Sequence, residues 1–285
     1  MENVIEISNL TKNYSSFTLN NVSFTVPKGC IMGLIGANGA GKSTTIKLML
    51  NITRRNEGSV KIFGQDALEN EEHIKQNIGV VFDESHFHDT LKASQICKIM
   101  SNVYKEWDNE LFYQYLKRFK LPVDKKVKTY SRGMKMKLSI AVALSHNPKL
   151  LILDEPTSGL DPIVRNEILD IFLEFIEDEE HSILLSSHIT SDLERIADYI
   201  TLINHGEVIF SESKDDLIYN YGIFKGTNHQ MKEINKQDFI GIRHTQFGFE
   251  ALAKDCRKMA AKYPELIHDT AGIEDIMVFF VRGEE

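Results

Sequence analysis

Cysteine is scarce in this chain: Cys30, Cys97 and Cys256 are the only three, and they lie far apart. They make no metal-ligand spacing and no even-numbered disulfide framework, so reduced thiols are expected. Long apolar runs are missing too. None reaches the roughly 18 residues that cross a bilayer. The opening MENVIEISNL has neither the basic start nor the apolar stretch of a secretory signal. Any membrane part of the process served would therefore come from another chain. Basic charge is also short: the net charge is −8. That argues against broad affinity for nucleic acid or anionic lipid, and no nucleic-acid partner is expected. There is no internal repeat and no low-complexity tract. What remains is an ordinary globular composition, 42% hydrophobic and 26% charged over 285 residues. It suffices for one large domain or two small ones with ample core.

The first thirty residues read as β. Val4, Ile5 and Ile7 open a strand ending near Tyr14, Phe17 to Val26 forms a second, and Pro27 to Gly29 turns the chain. Cys30 to Ile35 (CIMGLI) is nearly all apolar, as suits a strand buried on both faces. Thr44 to Leu50 is helical, Val60 to Phe63 returns to strand, and Ile78 to Phe82 (IGVVF) is another buried strand. From Asp89 to Ser145 helical spacing takes over, with Ile96, Ile99, Met100 and Val103, then Leu111, Tyr115 and Phe119. Strands resume at Leu150 to Leu153, Ile183 to Leu185 and Tyr199 to Ile203, with a helix from Pro162 to Glu177 between. Strands alternating with helices predict an α/β fold with a mostly parallel sheet. An antiparallel β subdomain precedes it, and a helical subdomain at about 86–146 is inserted. After Ser213 the pattern weakens. Ile240 to His244 and Phe247 to Leu252 predict paired short strands, and Asp255 to Tyr263 and Ile273 to Val281 predict helices. The expected division is a main domain at 1–212 and a small α+β extension at 213–285.

Gly36 to Thr44 reads GANGAGKST and matches G-x-x-x-x-G-K-[ST], directly after a buried strand and before a helix. Gly36, Gly39 and Gly41 let the backbone curl so that several N–H groups point inward. With the positive end of the following helix they make a concave anion site. Lys42 adds a full charge for β- and γ-phosphates, and Ser43 offers a hard oxygen to Mg²⁺. Together these features mark a P-loop NTPase core.

Leu150 to Pro156 reads LLILDEP: a buried strand, then two carboxylates at its C-terminal end, the edge where open α/β sheets bind ligands. Asp154 is placed to hold Mg²⁺. Glu155, facing the other way, is placed to orient or deprotonate a water attacking the γ-phosphorus. Alone, such a pair is better explained by a solvated strand end; the phosphate loop completes its meaning. Ser186, Ser187 and His188 follow another buried strand, a neighbour that would bring His188 near the γ-phosphate. One stretch, YSRGMKMKL (Tyr130 to Leu138), looks like a helix start yet holds no acid, base, nucleophile or metal cage.

Taken together, these motifs resemble the ATP-binding subunits of ABC transporters. GANGAGKST is similar to the family's Walker A loop, LLILDEP to its Walker B strand, SGLD (Ser158 to Asp161) to its D-loop, His188 to its switch histidine and YSRGM to its signature. The match spans about residues 4 to 210. The resemblance implies ATP and Mg²⁺ as cofactors, with Lys42, Glu155 and His188 catalytic and Ser43, Asp154 and Asp83 toward the metal. It implies nucleotide contacts from Tyr14, stacked on adenine, and from Gly36, Asn38, Gly39, Ala40, Gly41, Lys42, Ser43, Thr44 and Asp83. It also answers the chemistry-free helix start. In this family two nucleotide-binding subunits pair head to tail, so Ser131, Gly133 and the helix N-terminus would contact the γ-phosphate held by the partner.

Two positions depart from the family pattern. Arg132 stands where glycine is common; it loses backbone freedom but can reach phosphate or carboxylate. Asp83 stands where a glutamine usually contacts Mg²⁺ and the attacking water, so nucleotide and metal dependence should differ. By the same resemblance, the helical subdomain and the loop after Asp83, a region that includes His86, Phe87, His88 and Trp107, form the expected docking groove for an integral membrane permease. That would hold the protein in the cytoplasm, peripheral on the inner face of the cell membrane. The single-domain chain, the YSRGM variant and the closing segment GIEDIMVFFVRG look most like bacterial ATPase subunits paired with separate membrane proteins, often exporters of drugs, peptides or lipids. Two alternatives stay open: a translation or DNA-associated ATPase of the superfamily, and an ATP-gated binding module with little turnover. The absence of a long heptad insert and the single phosphate loop weigh against the first. Glu155 and His188 weigh against the second.

Overall fold

A computed structural model describes residues 2–84 and 86–282. Ser85, in the loop after Asp83, and Gly283, at the end of the closing segment, lie outside the described residues. The chain opens with an antiparallel pair, Asn3–Asn13 (β1) and Thr18–Pro27 (β2). Pro27, lacking an N–H, ends the second strand. Ile31–Ile35 (β3) is buried at every position and runs into Lys42–Met49 (α1). Glu57–Ile62 (β4) and Gln65–Asp66 (β5) return to the first sheet, whose order is β2-β1-β4-β5. Glu71–Gln76 (α2) then leads to Ile78–Val81 (β6).

The helical segment follows: Ala93–Val103 (α3), Asn109–Arg118 (α4) and Arg132–Leu144 (α5). Asp108 caps α4 by accepting from the Leu111 amide, and Ser131 caps α5 by accepting from Met134. The inward faces differ from those the apolar spacing predicts. On α3, Ala93, Ile96 and Cys97 are buried while Ile99 and Val103 stay exposed. On α4 the buried pair is Phe112 and Leu116, one residue on from Leu111 and Tyr115. Trp107, within the expected docking region, packs its ring 5.3 Å from Phe112, and its indole N–H reaches Asn109.

Leu150–Asp154 (β7), Pro162–Phe175 (α6), Ser182–Ser187 (β8), Thr190–Ile196 (α7), Tyr199–Asn204 (β9) and Glu207–Ser213 (β10) complete the main body. They build a six-stranded sheet of order β10-β9-β3-β8-β7-β6, parallel except for β10 against β9. Its central strands are buried at every position because both faces are covered, by the first sheet on one side and by helices on the other. Parallel register sets Ile35 beside Ser187 and Asp154 beside Ser186. The ends of β3, β7 and β8 therefore meet at one edge. Ser186 and Ser187 belong to β8 itself rather than following it.

Beyond β10 come Lys214–Asn220 (α8), Gly222–Thr227 (β11), Gly241–Thr245 (β12), Gly248–Ala253 (β13), Cys256–Lys262 (α9), Ile267–Thr270 (β14) and Ile273–Arg282 (α10). The strands form an antiparallel sheet, β12-β13-β11-β14, around Phe224, Phe239, Phe249 and Met259. β12 and β13 pair as the sequence predicts, but the central strand β11 was not legible. The last helix turns back on the main body. Ile273, Ile276 and Phe279 join its core, and Glu194 of α7 accepts from the Ile273 amide at 3.0 Å. All three cysteines are free thiols. Among the described residues no helix is long and apolar enough to cross a membrane.

Candidate functional site

The loop from Gly36 to Gly41 curls back between β3 and α1. A Cβ on Gly36 would meet the Ile203 carbonyl at 2.2 Å, and Gly41, at φ +118°, would put one 2.8 Å from Leu19. Glycine is required at both places, and its absence of a side chain lets the backbone amides line a hollow. The loop is braced from outside: Gly206, in the β9–β10 turn, donates to the Ala40 carbonyl at 2.9 Å. Lys42 is 5% exposed. Its ammonium donates to the Gly36 carbonyl at 2.7 Å and lies 3.2 Å from Glu155 Oε1. A buried ammonium needs such partners, and here they hold it at the floor of the hollow.

At the end of β7, Asp154 is 2% exposed. Its Oδ1 accepts from Ser43 Oγ at 3.0 Å and from Ser186 Oγ at 2.6 Å. The next residue turns sharply: Glu155 has φ +52°, a left-handed conformation costing a non-glycine residue roughly 1–2 kcal/mol. Its amide is held by both the Ser186 carbonyl and the Ser186 hydroxyl, each at 3.1 Å. That turn separates the two neighbouring carboxylates. Asp154 faces Ser43, while Glu155 lies between Lys42 and His188, whose Nδ1 is 2.6 Å from Glu155 Oε2.

Lys42, Ser43, Asp83, Glu155 and His188 thus share one cavity of about 640 Å³, together with Asn38, Gly39, Gly41 and Thr44. Gly36 and Asp154 stand behind this wall, bonded to Lys42 and Ser43. The aromatic at the cavity wall is Phe17, beside Ser16. Tyr14 is 46% exposed, with the Lys12 ammonium 5.4 Å from its ring, and is not in the lining. Ser131 and Gly133 are also outside it: Ser131 is exposed at the start of α5, and Gly133 backs onto Val164 of α6. Arg132 lies over the D-loop, where a Cβ on Gly159 would meet Arg132 Nη1 at 2.6 Å. A second cavity of about 340 Å³ has Asp83 and Glu84 on one side and Arg132 and Lys135 on the other. The two unusual residues therefore line a common hollow.

From the sequence alone, neither Ser186, which bonds both carboxylate-bearing residues, nor Phe17 had a role in the site. The signal for Ser186 was a hydroxyl at the C-terminal end of a buried strand, and its place opposite Asp154 is set by the register.

A family model described as ABC transporter matches residues 19–158. The bacitracin transport ATP-binding protein BcrA of Enterococcus faecalis is 37% identical over 212 residues, 73% of this chain and 69% of that one. The lantibiotic transport ATP-binding protein SrtF of Streptococcus pyogenes is 36% identical over 230 residues, 78% of this chain and 99% of that one. A solved structure of an ATP-binding subunit of an ABC transporter superposes with a TM-score of 0.67 at 26% identity, covering 76% of this chain and 92% of its own. This chain belongs to the ATP-binding proteins of the ABC transporter family.

Proposed function

We propose that this protein is the ATP-hydrolysing subunit of an exporter, driving a separate membrane permease that moves a drug, peptide or lipid. The run Lys42–Glu155–His188 in one cavity, beside the Ser43–Asp154 pair, carries the reading. The glycine loop and Lys42 suit a triphosphate. Glu155, turned toward the cavity by its left-handed backbone, takes the proton of the attacking water or orients it. His188 steadies that carboxylate through Nδ1 and lines the same cavity, in which the γ-phosphate would lie.

The oxygens of Ser43 and Asp154 fit Mg²⁺, with Asp83 on the same cavity wall. No group of three or more His, Cys, Asp or Glu converges among the described residues, so nucleotide oxygens and water would fill the remaining positions. When bound, the metal neutralises charge on the β- and γ-phosphates. Ser131 and Gly133 do not line their own chain's cavity. That supports their serving the nucleotide of a second subunit, a copy of this chain or a homologous one. Two similar proteins carry bacitracin and lantibiotic transport in their names, so peptide antibiotics are the substrate class to test first. The expected location is the cytoplasmic face of the membrane, held there by the permease.

The test is Glu155→Gln, assayed by phosphate release and by sedimentation with Mg–ATP. Turnover should fall by about 100-fold or more, and an ATP-bound dimer should accumulate. A wild type that already forms a long-lived ATP dimer without releasing phosphate would make the protein a binding module. Full-rate hydrolysis by dilute monomer would remove the two-subunit site.

A further inference from the structure

Asp192, in α7, is a carboxylate that the cavity does not use, and it is 1% exposed. Its Oδ2 accepts from Thr157 Oγ1 at 2.6 Å, and its Oδ1 accepts from Arg165 Nε. Arg165, in α6, also donates through Nη2 to Ser191 Oγ at 2.7 Å. A carboxylate removed from water is tolerated only when its oxygens are well paired. Here each oxygen goes to a different segment. Thr157, itself 1% exposed, lies two residues beyond Glu155. Arg165 lies in the helix after the D-loop, and Asp192 lies four residues beyond His188. One buried side chain therefore joins the loop that bears Glu155, the helix that follows it and the turn that bears His188.

Glu155 needs such support. A non-glycine residue stays at φ +52° only where its surroundings over-determine it. On its N-terminal side Ser186 pins the Glu155 amide. On its C-terminal side the turn closes through Ser158 N to the Glu155 carbonyl at 3.1 Å, and the tie from this turn to α7 is Thr157 to Asp192. Neither Thr157, Arg165 nor Asp192 lines the nucleotide cavity, so any effect on hydrolysis must pass through Glu155 and His188.

We propose that Asp192 is a positioning residue for hydrolysis: by clamping Thr157 and Arg165, it fixes the Glu155 loop relative to the His188 turn. The proposal rests on the reading of Glu155 as the hydrolytic carboxylate. Losing the clamp leaves the phosphate loop intact, so nucleotide still binds while Glu155 drifts from its working position.

The experiment compares the full-length wild type with Asp192→Asn, Thr157→Val and the double variant. Asn keeps the size but drops the charge that holds Arg165; Val keeps the volume but drops the hydroxyl. Mg–ATP turnover and KM are measured with the affinity for a fluorescent ATP analogue, after thermal unfolding has shown which variants fold. In each single variant kcat should fall about 10- to 100-fold, with KM and analogue affinity within about threefold of wild type. The double variant should be no slower than the slower single, because one contact is broken in both. If the Asn variant does not fold, Thr157→Val, an uncharged change, decides by the same split between kcat and KM. Unchanged kcat, a loss of nucleotide affinity matching the loss of rate, or additive losses would each overturn the clamp. A wild type without turnover would overturn the hydrolytic reading and the clamp together; an active wild type with unaffected variants would overturn the clamp alone.

Discussion

Replacing Ser186 with alanine removes one hydroxyl that serves two site residues at once. Its Oγ donates to Asp154 Oδ1 at 2.6 Å and accepts from the Glu155 amide at 3.1 Å. Ser186 is 0% exposed and Asp154 only 2%, so water is poorly placed to substitute. The bond to Asp154 is charge-assisted and contributes about 1.5–3 kcal/mol. The Glu155 amide keeps the Ser186 carbonyl at 3.1 Å, so its loss adds little. Asp154 keeps Ser43 as a donor, which caps the total near the middle of that range, about 2 kcal/mol. For a chain this long, each kcal/mol moves Tm by about 2–4 °C, so the alanine variant should melt about 4–8 °C lower. Urea unfolding should give the same loss through a lower midpoint at unchanged slope. Turnover should fall about tenfold, since a carboxylate with one tether less is less accurately placed. A Ser186→Ala protein within about 0.5 kcal/mol of wild type, at unchanged slope and full turnover, would show that Asp154 does not depend on this hydroxyl.

Two further outcomes follow from other parts of the molecule. Asp83 shares the cavity wall with Ser43 and Glu155; Asp83→Gln removes a hard anionic oxygen, so the Mg²⁺ concentration for half-maximal turnover should rise by up to about tenfold. Identical Mg²⁺ dependence and turnover in that variant would deny Asp83 any part in metal binding. His146 is buried, with Nε2 3.0 Å from the Ile78 carbonyl and its ring stacked on Tyr104. Burial lowers its pKa below the ordinary 6.5, so the folded ring stays neutral where the unfolded ring takes a proton. The stability tied to His146 is complete above pH 6.5 and is lost as pH falls below it, by at most about 1.4 kcal/mol per unit. Urea unfolding from pH 7.5 to 5.5 should therefore slope less steeply for His146→Gln than for wild type, and equal slopes would clear His146 of any role in acid sensitivity.

Much of the fold was legible because burial on both faces leaves a plain mark. CIMGLI, IGVVF and LLIL are apolar without alternation, and each lies in the parallel sheet. β10 escaped because it is an edge strand with one buried hydrophobic, Phe210. β11 escaped because GIFKGT carries two glycines that pack against neighbours: a Cβ on Gly226 would meet Leu266 and Phe249, each at 2.7 Å. On α3 the apolar spacing misled, since Ile99 and Val103 are apolar yet exposed. Helical periodicity reports which residues share a face, and on α3 the smaller Ala93 and Cys97 flank Ile96 on the inward one.

The site divides along the same line. The phosphate loop is contiguous, so its glycines, lysine and serine announce an anion cradle before any tertiary contact is known. The partnership of Asp154, Glu155 and His188 is not contiguous. It depends on β7 lying beside β8 in a register that sets Asp154 opposite Ser186. Sequence can place two carboxylates at a strand end, but it does not say that the second will adopt φ +52°, nor that a strand hydroxyl will hold its amide. That conformation is what points Glu155 at Lys42 and His188 while Asp154 stays with Ser43. The two acids meet different partners because their backbones differ, and the turn between them is flanked by the Ser186 bond to the Glu155 amide on one side and the Thr157–Asp192 contact on the other. None of these three residues belongs to the LLILDEP motif, yet they bracket the turn that separates its two carboxylates.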